Sequence, residues 1–418
     1  MSRSTYTFQL TLTELKLQPT VVEIPLTIGQ YQELKQMSGE QLSIIARGEQ
    51  SAATLSCQLS SVGMSGTPDE LDAQYSLFVL VHDIAFDEGT TPVSFRLEES
   101  SAAILEAAAN NPYNPWEKTA GVHLDHQPEN ARVVISIEGK LFSRYLYSPD
   151  LMKPYYYPLI GANGKTLIQD APDDHLHHHG LWWGHDQVNG QQAYHEFAKE
   201  GRQTHRRFLH IEGGPVFAQM TSSIDWLSNS GKRLLQEVRT MRIYNLPQTE
   251  RYVDVHSQLF TSDGEVVFGD TKEGGFPFIR VNEQINGHHT GIITASTGLQ
   301  GEEHIFGTEA DWVDYSGKIF GRMSWEGGTP QKEFIEAGIA MMVHPDYRDY
   351  SSRWFVRDYG PFTSANFHFS NGCTLPAGES IHFRQRIYLH SGSAETGRVQ
   401  ARYDEYAACS TVTVFASN

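Results

Sequence analysis

The chain has 418 residues, of which 20% are charged and 11% are aromatic, and this composition excludes a disordered or coiled-coil protein. Asp and Glu number 50 against 32 Lys and Arg, which gives a formal net charge of −18. Because no run of basic residues could follow a phosphate backbone, we expect no nucleic acid partner.

The first residues, "MSRSTYTFQLTLTELKLQPT", lack the uninterrupted apolar core of a secretory signal. No segment has the roughly 18 consecutive apolar residues that a membrane-spanning helix needs. We therefore expect a cytoplasmic protein that does not bind a membrane. Cys57, Cys373 and Cys409 are far apart and form no Cys-x-x-Cys pair, so the sequence predicts neither a disulfide framework nor a structural zinc site.

Short segments with alternating apolar and polar residues predict β-strands along most of the chain. Examples are "ARVVISIEGKLFSRYLYS", "RYVDVHSQLFTSDGEVVFGD" and "ESIHFRQRIYLHSG", which each resemble a strand, a turn and a strand. Helical patterns are few: "GQYQELKQM", "ESSAAILEAAANN" and "SAETGRVQARYDEYAA". The predicted fold class is all-β and mainly antiparallel, a large β-sandwich or supersandwich with a small β-rich N-terminal domain and few short helices.

The length of the chain favours two or more folding units. The polar stretch "NPYNPWEKTAGVHLDHQPEN" neither continues a helix nor alternates, and it marks a boundary. We predict a β-rich N-terminal domain over residues 1–110, a linker over 111–130, a β-sandwich domain that carries the site over 131–392, and a helical tail over 393–418.

The segment "PDDHLHHHGLWWGHDQVNG", residues 172–190, holds five of the 19 histidines. A proline before the cluster and glycines after it oppose a helix, and in an extended segment His175, His177 and His179 would share a face. Near neutral pH, imidazoles accept protons or ligate metal ions. We predict that His175, His177 and His178 are catalytic, and that the same three are the ligands if a metal is bound. A loop whose histidines bond the backbone or face water is the alternative.

Two tryptophans and an Asn-Gly turn complete this segment. Trp182 and Trp183 are adjacent, so in a strand they point to opposite faces, and one can pack in the core while the other stacks on a sugar ring. Packing in the core is the alternative for each. Trp182, Trp183 and Asn189 are candidate substrate-binding residues.

Two later segments combine charged residues with glycine. In "GDTKEGGFPFIRV" two glycines follow Lys272 and Glu273, which places Glu273 at a strand end, a frequent location for acid-base residues. A solvated charged turn is the alternative. In "SSRWFVRDYGPFTSANF" the side chains of Arg357 and Asp358 would point to opposite faces, so a substrate carboxylate or hydroxyl pair is a candidate partner. We predict that Glu273 is catalytic and that Lys272, Arg357, Asp358 and Tyr359 bind substrate, with a structural ion pair as the alternative for Arg357.

Six segments resemble, in order, the motifs of a PmoA-like family of unknown function: "KPYYYPL", "DHLHHHGLWWGHDQVNG", "GDTKEGGFPFIRV", "WVDYSG", "WFVRDYGPF" and "TLPAGESI". The resemblance covers residues from about 130 to 392. The family's label, methane oxygenase PmoA, does not suit this chain, because such a subunit has membrane-spanning helices. The resemblance implies a β-sandwich related to the galactose-mutarotase-like proteins and a role in sugar catabolism.

The chain departs from the family's usual Asp-His-Pro-His-His-Arg-Gly-Leu-Trp at two positions, where Leu176 replaces Pro and His179 replaces Arg. If the family's Arg anchors substrate, His179 makes that contact titratable, and we add His179 to the candidate substrate-binding residues. The family's usual Asp-Phe-Trp is also replaced, by "QQAYHEF", which brings His195 and Glu196.

These residues favour a carbohydrate-active enzyme that uses His and Glu for acid-base chemistry on a sugar or modified glycoside, as a lyase, hydrolase or epimerase. The alternatives are a metal-dependent hydrolase or oxygenase that uses the histidine cluster, and a non-catalytic carbohydrate-binding protein. We expect no organic cofactor, and a divalent metal only in the first alternative. The expected partner is a small sugar or oligosaccharide, and the sequence leaves a homo-oligomer open.

Overall fold

The computed structural model describes residues 5–11, 16–38, 43–49, 54–85, 92–98, 121–197, 200–326, 329–347, 353–408 and 412–417. The helix predicted at "ESSAAILEAAANN", the domain boundary near residue 110 and Cys409 lie outside these ranges. No helix in the described part of the chain is long and apolar enough to cross a membrane.

An antiparallel sheet of seven strands, here the N-terminal sheet, has the order β2-β5-β4-β3-β6-β1-β26. Helix α1 (Ile28–Ser38) packs against it through Tyr31 and Leu34. Its last strand comes from the far end of the chain, so the segment predicted as a helical tail also contains a strand. The strands are β1 (Thr5–Leu10), β2 (Thr20–Pro25), β3 (Ser43–Gly48), β4 (Thr54–Gly66), β5 (Leu71–Val81), β6 (Val93–Glu98) and β26 (Phe415–Ser417).

A second antiparallel sheet, the site sheet, has the order β22-β23-β18-β11-β10-β9-β8-β7, with β12, β17 and β24 paired to its side. The strand of this sheet that comes first in the chain, β7, lies within the range 111–130 that the sequence predicts as a linker. The strands are β7 (Val122–Gln127), β8 (Arg132–Ile137), β9 (Lys140–Leu146), β10 (Tyr155–Tyr156), β11 (Leu181–Val188), β12 (Gln191–Ala193), β17 (Val266–Phe268), β18 (Gly274–Arg280), β22 (Phe355–Val356), β23 (Pro361–Thr363) and β24 (Cys373–Leu375).

The third antiparallel sheet, the back sheet, has the order β13-β14-β15-β16-β25-β21-β20-β19. Two more helices, α2 (Glu302–Ile305) and α3 (Val399–Ala407), lie outside the sheets. The strands are β13 (Arg202–Glu212), β14 (Phe217–Leu227), β15 (Arg233–Tyr244), β16 (Glu250–Phe260), β19 (Ile292–Ala295), β20 (Trp312–Glu326), β21 (Thr329–Val343) and β25 (Ser380–Ser391).

The three sheets form three layers, with the back sheet in the middle. Ala218 and Met220 of β14 face the site sheet within the main core, whereas Phe217 packs on Phe78 of the N-terminal sheet, with ring centres 4.6 Å apart. Because both faces of the back sheet are covered, β14 is buried almost without interruption. These sheets confirm the predicted antiparallel, all-β class.

The core between the site sheet and the back sheet contains paired charges. The guanidinium of Arg239 lies 3.6 Å from the centre of the Trp183 ring and donates to Glu237. Glu237 also accepts a hydrogen bond from the indole of Trp226. Since each buried charge has partners, the core avoids the large penalty of an unpaired ion.

Candidate functional site

A cavity of about 200 Å³ lies where three segments of the site sheet meet. Strands β11 and β18 pair antiparallel from Leu181↔Ile279 to His185↔Gly274, so the histidine loop before β11 lies beside the end of β18, and the charged turn before β18 lies beside His185 and Asp186. The cavity is lined by His175, His177, His178, Tyr194, His195, Lys272, Glu273, Phe355, Arg357 and Tyr359. The structure therefore brings together all three segments that the sequence singled out.

The histidine loop, residues 172–180, consists of two tight turns and is neither an extended strand nor a helix. Backbone bonds tie its end to β18, because Arg280 N donates to Gly180 O and Arg280 O accepts from Gln169 N. Gly180 has φ +59°, and a Cβ there would lie 2.7 Å from the carbonyl oxygen of Tyr156. Only glycine fits this position without displacing the backbone.

Five rings form one stack from the cavity into the core. His175 stacks on Tyr359 with centres 5.0 Å apart, and on His178 at 4.6 Å. His178 stacks in turn on Trp182 at 4.9 Å, and Trp182 on Phe278 at 5.1 Å. Packing against the core rings thus holds His175 and His178 of the loop in place.

Arg280 holds the same loop through hydrogen bonds. Its Nη2 donates to both carboxylate oxygens of Asp174, at 2.9 and 2.7 Å, and its Nη1 approaches His178 Nδ1 at 3.3 Å. Since a guanidinium only donates, we assign Nδ1 of His178 as the acceptor and Nε2 as the protonated nitrogen. Burial, and then the positive charges nearby, hold the pKa of His178 far below its ordinary value, so its imidazole is neutral.

The proton on Nε2 of His178 also determines the orientation of the Tyr194 hydroxyl. His178 Nε2 lies 3.2 Å from Tyr194 Oη and donates to it, so the hydrogen of the Tyr194 hydroxyl is directed elsewhere. No acceptor for that hydrogen lies among the residues that the structure describes. Burial raises the pKa of Tyr194 well above 10, which keeps the hydroxyl protonated. Tyr194 can therefore donate a hydrogen bond or a proton into the cavity.

His177 is a second neutral group in the cavity wall. Its ring centre lies 4.8 Å from that of His195 and 5.3 Å from that of Tyr194. Burial, and then the charge of Lys153, lower the pKa of His177 to about 3. In the described part of the chain, no hydrogen bond engages its ring nitrogens, so a ligand can reach a free lone pair.

One side of the cavity is acidic. Asp186 lies opposite Glu273 in the β11–β18 pair, where Asp186 N donates to Glu273 O at 2.9 Å. The ring of His195 stands between the carboxylates, with Nδ1 3.7 Å from Asp186 Oδ1 and Nε2 3.4 Å from Glu273 Oε2. Burial, and then the charge of Glu273, raise the pKa of Asp186. These three residues present ligand atoms within 4.8 Å of one another.

The other side is basic. Lys272 is exposed and lines the cavity, as does Arg357, whose Nη1 donates to Glu302 Oε1 at 2.6 Å. Glu302 also accepts from the backbone N of Asp358, which is not among the lining residues. Arg357 is therefore partly neutralised by a structural ion pair, and Asp358 is not placed to bind a ligand in this cavity.

Three further candidates do not face the cavity. Trp182 and Trp183 are both 0% exposed, so neither can stack on a sugar: one supports His178 and the other packs on Arg239. Asn189 lies in the turn after β11, where its side chain accepts from Val267 N and donates to Glu265 O. Its role is to close that turn.

His179 faces away from the cavity into a cluster of charges. Its Nδ1 lies 2.7 Å from Asp170 and its Nε2 3.1 Å from Glu196, which also pairs with Lys153. Burial lowers the pKa of His179, but the two carboxylates outweigh it and the pKa lies above its ordinary value. The predicted contact of His179 with substrate is therefore replaced by an ion-pair role, which an arginine could also perform.

The predicted metal ligands His175, His177 and His178 do not form a site together. Both ring nitrogens of His178 already have partners, Arg280 and Tyr194, and neither is free to bind an ion. Metal-ligating side chains in the described residues converge instead at the acidic side of the cavity.

The site residues that the sequence did not predict are Asp186, Tyr194, His195, Arg280 and Phe355, and two of these carry a signal in the sequence. Tyr194 belongs to "QQAYHEF", directly after strand β12, and a polar aromatic residue at a strand end was the available signal. Arg280 ends the apolar run "FPFIR", where a charged residue in an otherwise apolar strand indicates a buried partner.

The part of the chain that forms this cavity matches a protein family of unknown function. Residues 132–404 match the model of DUF6807, described as a family of unknown function, and all the lining residues fall in that range. No curated protein matches the chain.

We predict that Arg280→Met loosens the histidine loop. Loss of the guanidinium leaves His178 Nδ1 without its donor and should lower the free energy of unfolding by about 2 kcal/mol, a value reduced because Asp174 is half exposed. Urea denaturation measures the loss, and amide hydrogen exchange over residues 172–180 should accelerate. Arg322→Met, which removes an exposed Arg–Glu pair, is the control and should change little. Unchanged exchange in the loop would contradict the anchoring role.

We also predict that His179 stabilises the fold in a pH-dependent manner. Because its folded-state pKa is raised, its stabilisation is fully present below its ordinary pKa of 6.5 and is lost as pH rises through the folded value. His179→Gln should therefore destabilise the protein more at pH 6 than at pH 9 in urea denaturation. His179→Arg should remain stable at both, since arginine stays charged.

His205→Gln is the control for this pair of variants. Burial lowers the pKa of His205 to about 4, so the folded protein keeps this imidazole neutral at pH 6 while the unfolded chain protonates it, and His205→Gln should show the opposite trend, with less destabilisation at pH 6 than at pH 9. An equal effect of His179→Gln at both pH values would refute the charged bridge.

Proposed function

The chain belongs to the DUF6807 family, whose function is unknown, and we propose that it is a carbohydrate-active enzyme that transfers protons to and from a sugar. The observation that supports this most is the geometry: His177, whose ring nitrogens have no hydrogen bond in the described part of the chain, and the hydroxyl-bearing ring of Tyr194 line the same cavity with their centres 5.3 Å apart. Acid-base catalysis on carbon needs one group that accepts a proton and another that gives one.

The size of the cavity favours one sugar unit. Its volume of about 200 Å³ is below the range of roughly 300–1,000 Å³ that is usual for small-molecule sites. An oligosaccharide would have to extend beyond it. The buried positions of Trp182 and Trp183 also exclude the two indoles that the sequence offered as a stacking platform for a non-catalytic sugar-binding site.

The proposed reaction starts at a carbon next to the carboxylate of a sugar acid. His177 would take the proton from this carbon, while Lys272 and Arg357 bind the carboxylate as negative charge develops. The electron pair would form a carbon–carbon double bond and break the carbon–oxygen bond beyond it, and Tyr194 would give its proton to the leaving oxygen. This is β-elimination; if Tyr194 instead gives its proton to the same carbon from the face opposite His177, the reaction is epimerisation.

The sequence predicts Glu273 as a catalytic acid-base residue, whereas in this proposal Glu273 positions His195. It lies 3.4 Å from His195 Nε2 and would hold that ring. Hydrolysis of a glycoside usually needs two carboxylates that flank the bond, and Glu273 is the one carboxylate among the lining residues. Elimination or epimerisation is therefore favoured over hydrolysis.

A kinship with the galactose-mutarotase-like proteins, a place in sugar catabolism and a cytoplasmic location belong to the same proposal. The antiparallel sandwich with its cavity on one sheet supports the first of these. The PmoA label and its oxygenase chemistry are not part of the proposal.

We predict that Tyr194→Phe and His177→Asn each lower kcat by about 100-fold or more, because each removes one half of the proton transfer. A panel of sugar acids and their glycosides, followed by absorbance of the unsaturated product and by NMR for epimers, provides the assay. Tyr147→Phe is the control, since its hydroxyl bonds His126 and does not line the cavity. Full turnover in both site variants, with circular dichroism unchanged, would reject this function.

A further inference from the structure

We infer that Asp186, His195 and Glu273 bind a divalent transition-metal ion such as Zn²⁺ or Mn²⁺ at the acidic side of the cavity. One imidazole and two carboxylates form a donor set of borderline hardness that suits these ions. The inference concerns binding of the ion by this chain and holds whether or not the proposed sugar chemistry is correct.

The fold places the three residues side by side. Asp186 is on β11, Glu273 immediately precedes β18, and His195 follows β12 by two residues. His185 of β11 pairs with Ala193 of β12 on one side and with Gly274 of β18 on the other. Each of the three neighbouring strands thus carries one of the ligands on it or directly beside it, and the pairing of the strands sets the distances between the ligands.

The distances suit a shared ion better than a hydrogen bond. His195 Nδ1 and Asp186 Oδ1 are 3.7 Å apart, beyond the length of an N–H···O bond. Two ligands at about 2.0–2.2 Å from one metal ion span roughly 3.3–4.2 Å, depending on the angle between them. One ligand atom from each of the three residues lies within 4.8 Å of the others, so small side-chain movements suffice to bring the three around one ion.

Two buried polar atoms lack partners at this point. Asp186 Oδ1 and His195 Nδ1 are inaccessible to solvent and have no hydrogen-bond partner among the described residues. Buried polar atoms without partners destabilise a fold, and an ion bound by both atoms would remove that penalty. A cation would also offset the repulsion between the carboxylates of Asp186 and Glu273.

The geometry is that of a site with an open coordination position. Three protein ligands leave at least one position on a metal ion for water or substrate, which is typical of catalytic sites and not of structural ones. His195 and Glu273 line the cavity, and the ring of His177 lies 4.8 Å from that of His195. An oxygen atom of a ligand in the cavity is the natural occupant of that open position.

Metal binding is tested directly on the full chain, purified without a tag and freed of metal by a chelator. Calorimetric titration with Mn²⁺ and with Zn²⁺, and elemental analysis after dialysis, should give one ion per chain for at least one of the two metals. Asp186→Asn and Glu273→Gln should each weaken its binding by about 100-fold or more, because each removes a charged ligand.

Asp270→Asn is the matched control. Asp270 is also a carboxylate paired with a histidine, His368, in the turn before β18, and it lies outside the three ligands, so its variant should bind like the wild type. If circular dichroism shows that a ligand variant does not fold, hyperfine coupling of Mn²⁺ to ¹⁵N-labelled histidine in the wild type replaces it, with coupling to one imidazole nitrogen as the expected result.

Three results would overturn the inference: no ion bound to the wild type, an equal affinity in both ligand variants, or no histidine coupling to bound Mn²⁺. The proposed function is tested independently of the metal site, because His177→Asn and Tyr194→Phe should still bind the metal but lose turnover. A protein that binds no metal but loses turnover in these two variants would contradict the metal site alone.

Discussion

The contacts of the buried Arg280 guanidinium determine the arrangement of the cavity. Its position at the end of β18 lets it bind the Asp174 carboxylate and His178 Nδ1 at once. The first contact closes the histidine loop onto the sheet, and the second decides which nitrogen of His178 carries the proton. That proton in turn orients the hydroxyl of Tyr194. A single cation thus links the loop conformation to the hydrogen-bonding capacity of the cavity wall.

Three consecutive residues after β12 perform three separate tasks. Tyr194 presents its hydroxyl to the cavity, His195 stands between two carboxylates, and Glu196 turns away, with φ +71°, to bind His179. His179 and this segment are two of the three places where the chain departs from the motifs of the PmoA-like family that it resembles. Because His179 and Glu196 are in contact, these departures belong to one local rearrangement of charge.

The sequence predicted the class of the fold because strand alternation and turn residues are local signals. It could also point to the three segments of the cavity, since histidines, carboxylates and paired glycines are unusual there. It could not place Trp182 and Trp183, because alternation tells only that they face opposite sides. In this sheet one side meets the back sheet and the other meets the histidine loop, so both are buried. The roles of Arg280 and Tyr194 depend on side-chain contacts across 102 and 16 residues, which no local pattern records.

The charges around the cavity connect the metal site to the proposed substrate. Arg357 is partly neutralised by Glu302, and Lys272 lines the cavity with Glu273, which lies close to Asp186 and His195. An anionic sugar held by Lys272 would lie near the carboxylate of Glu273, and close like charges in a partly buried site disfavour binding. A divalent cation held by the two carboxylates and His195 reverses that balance. With the ion bound, the acidic side would no longer oppose an anion that Lys272 and Arg357 hold beside His177 and Tyr194.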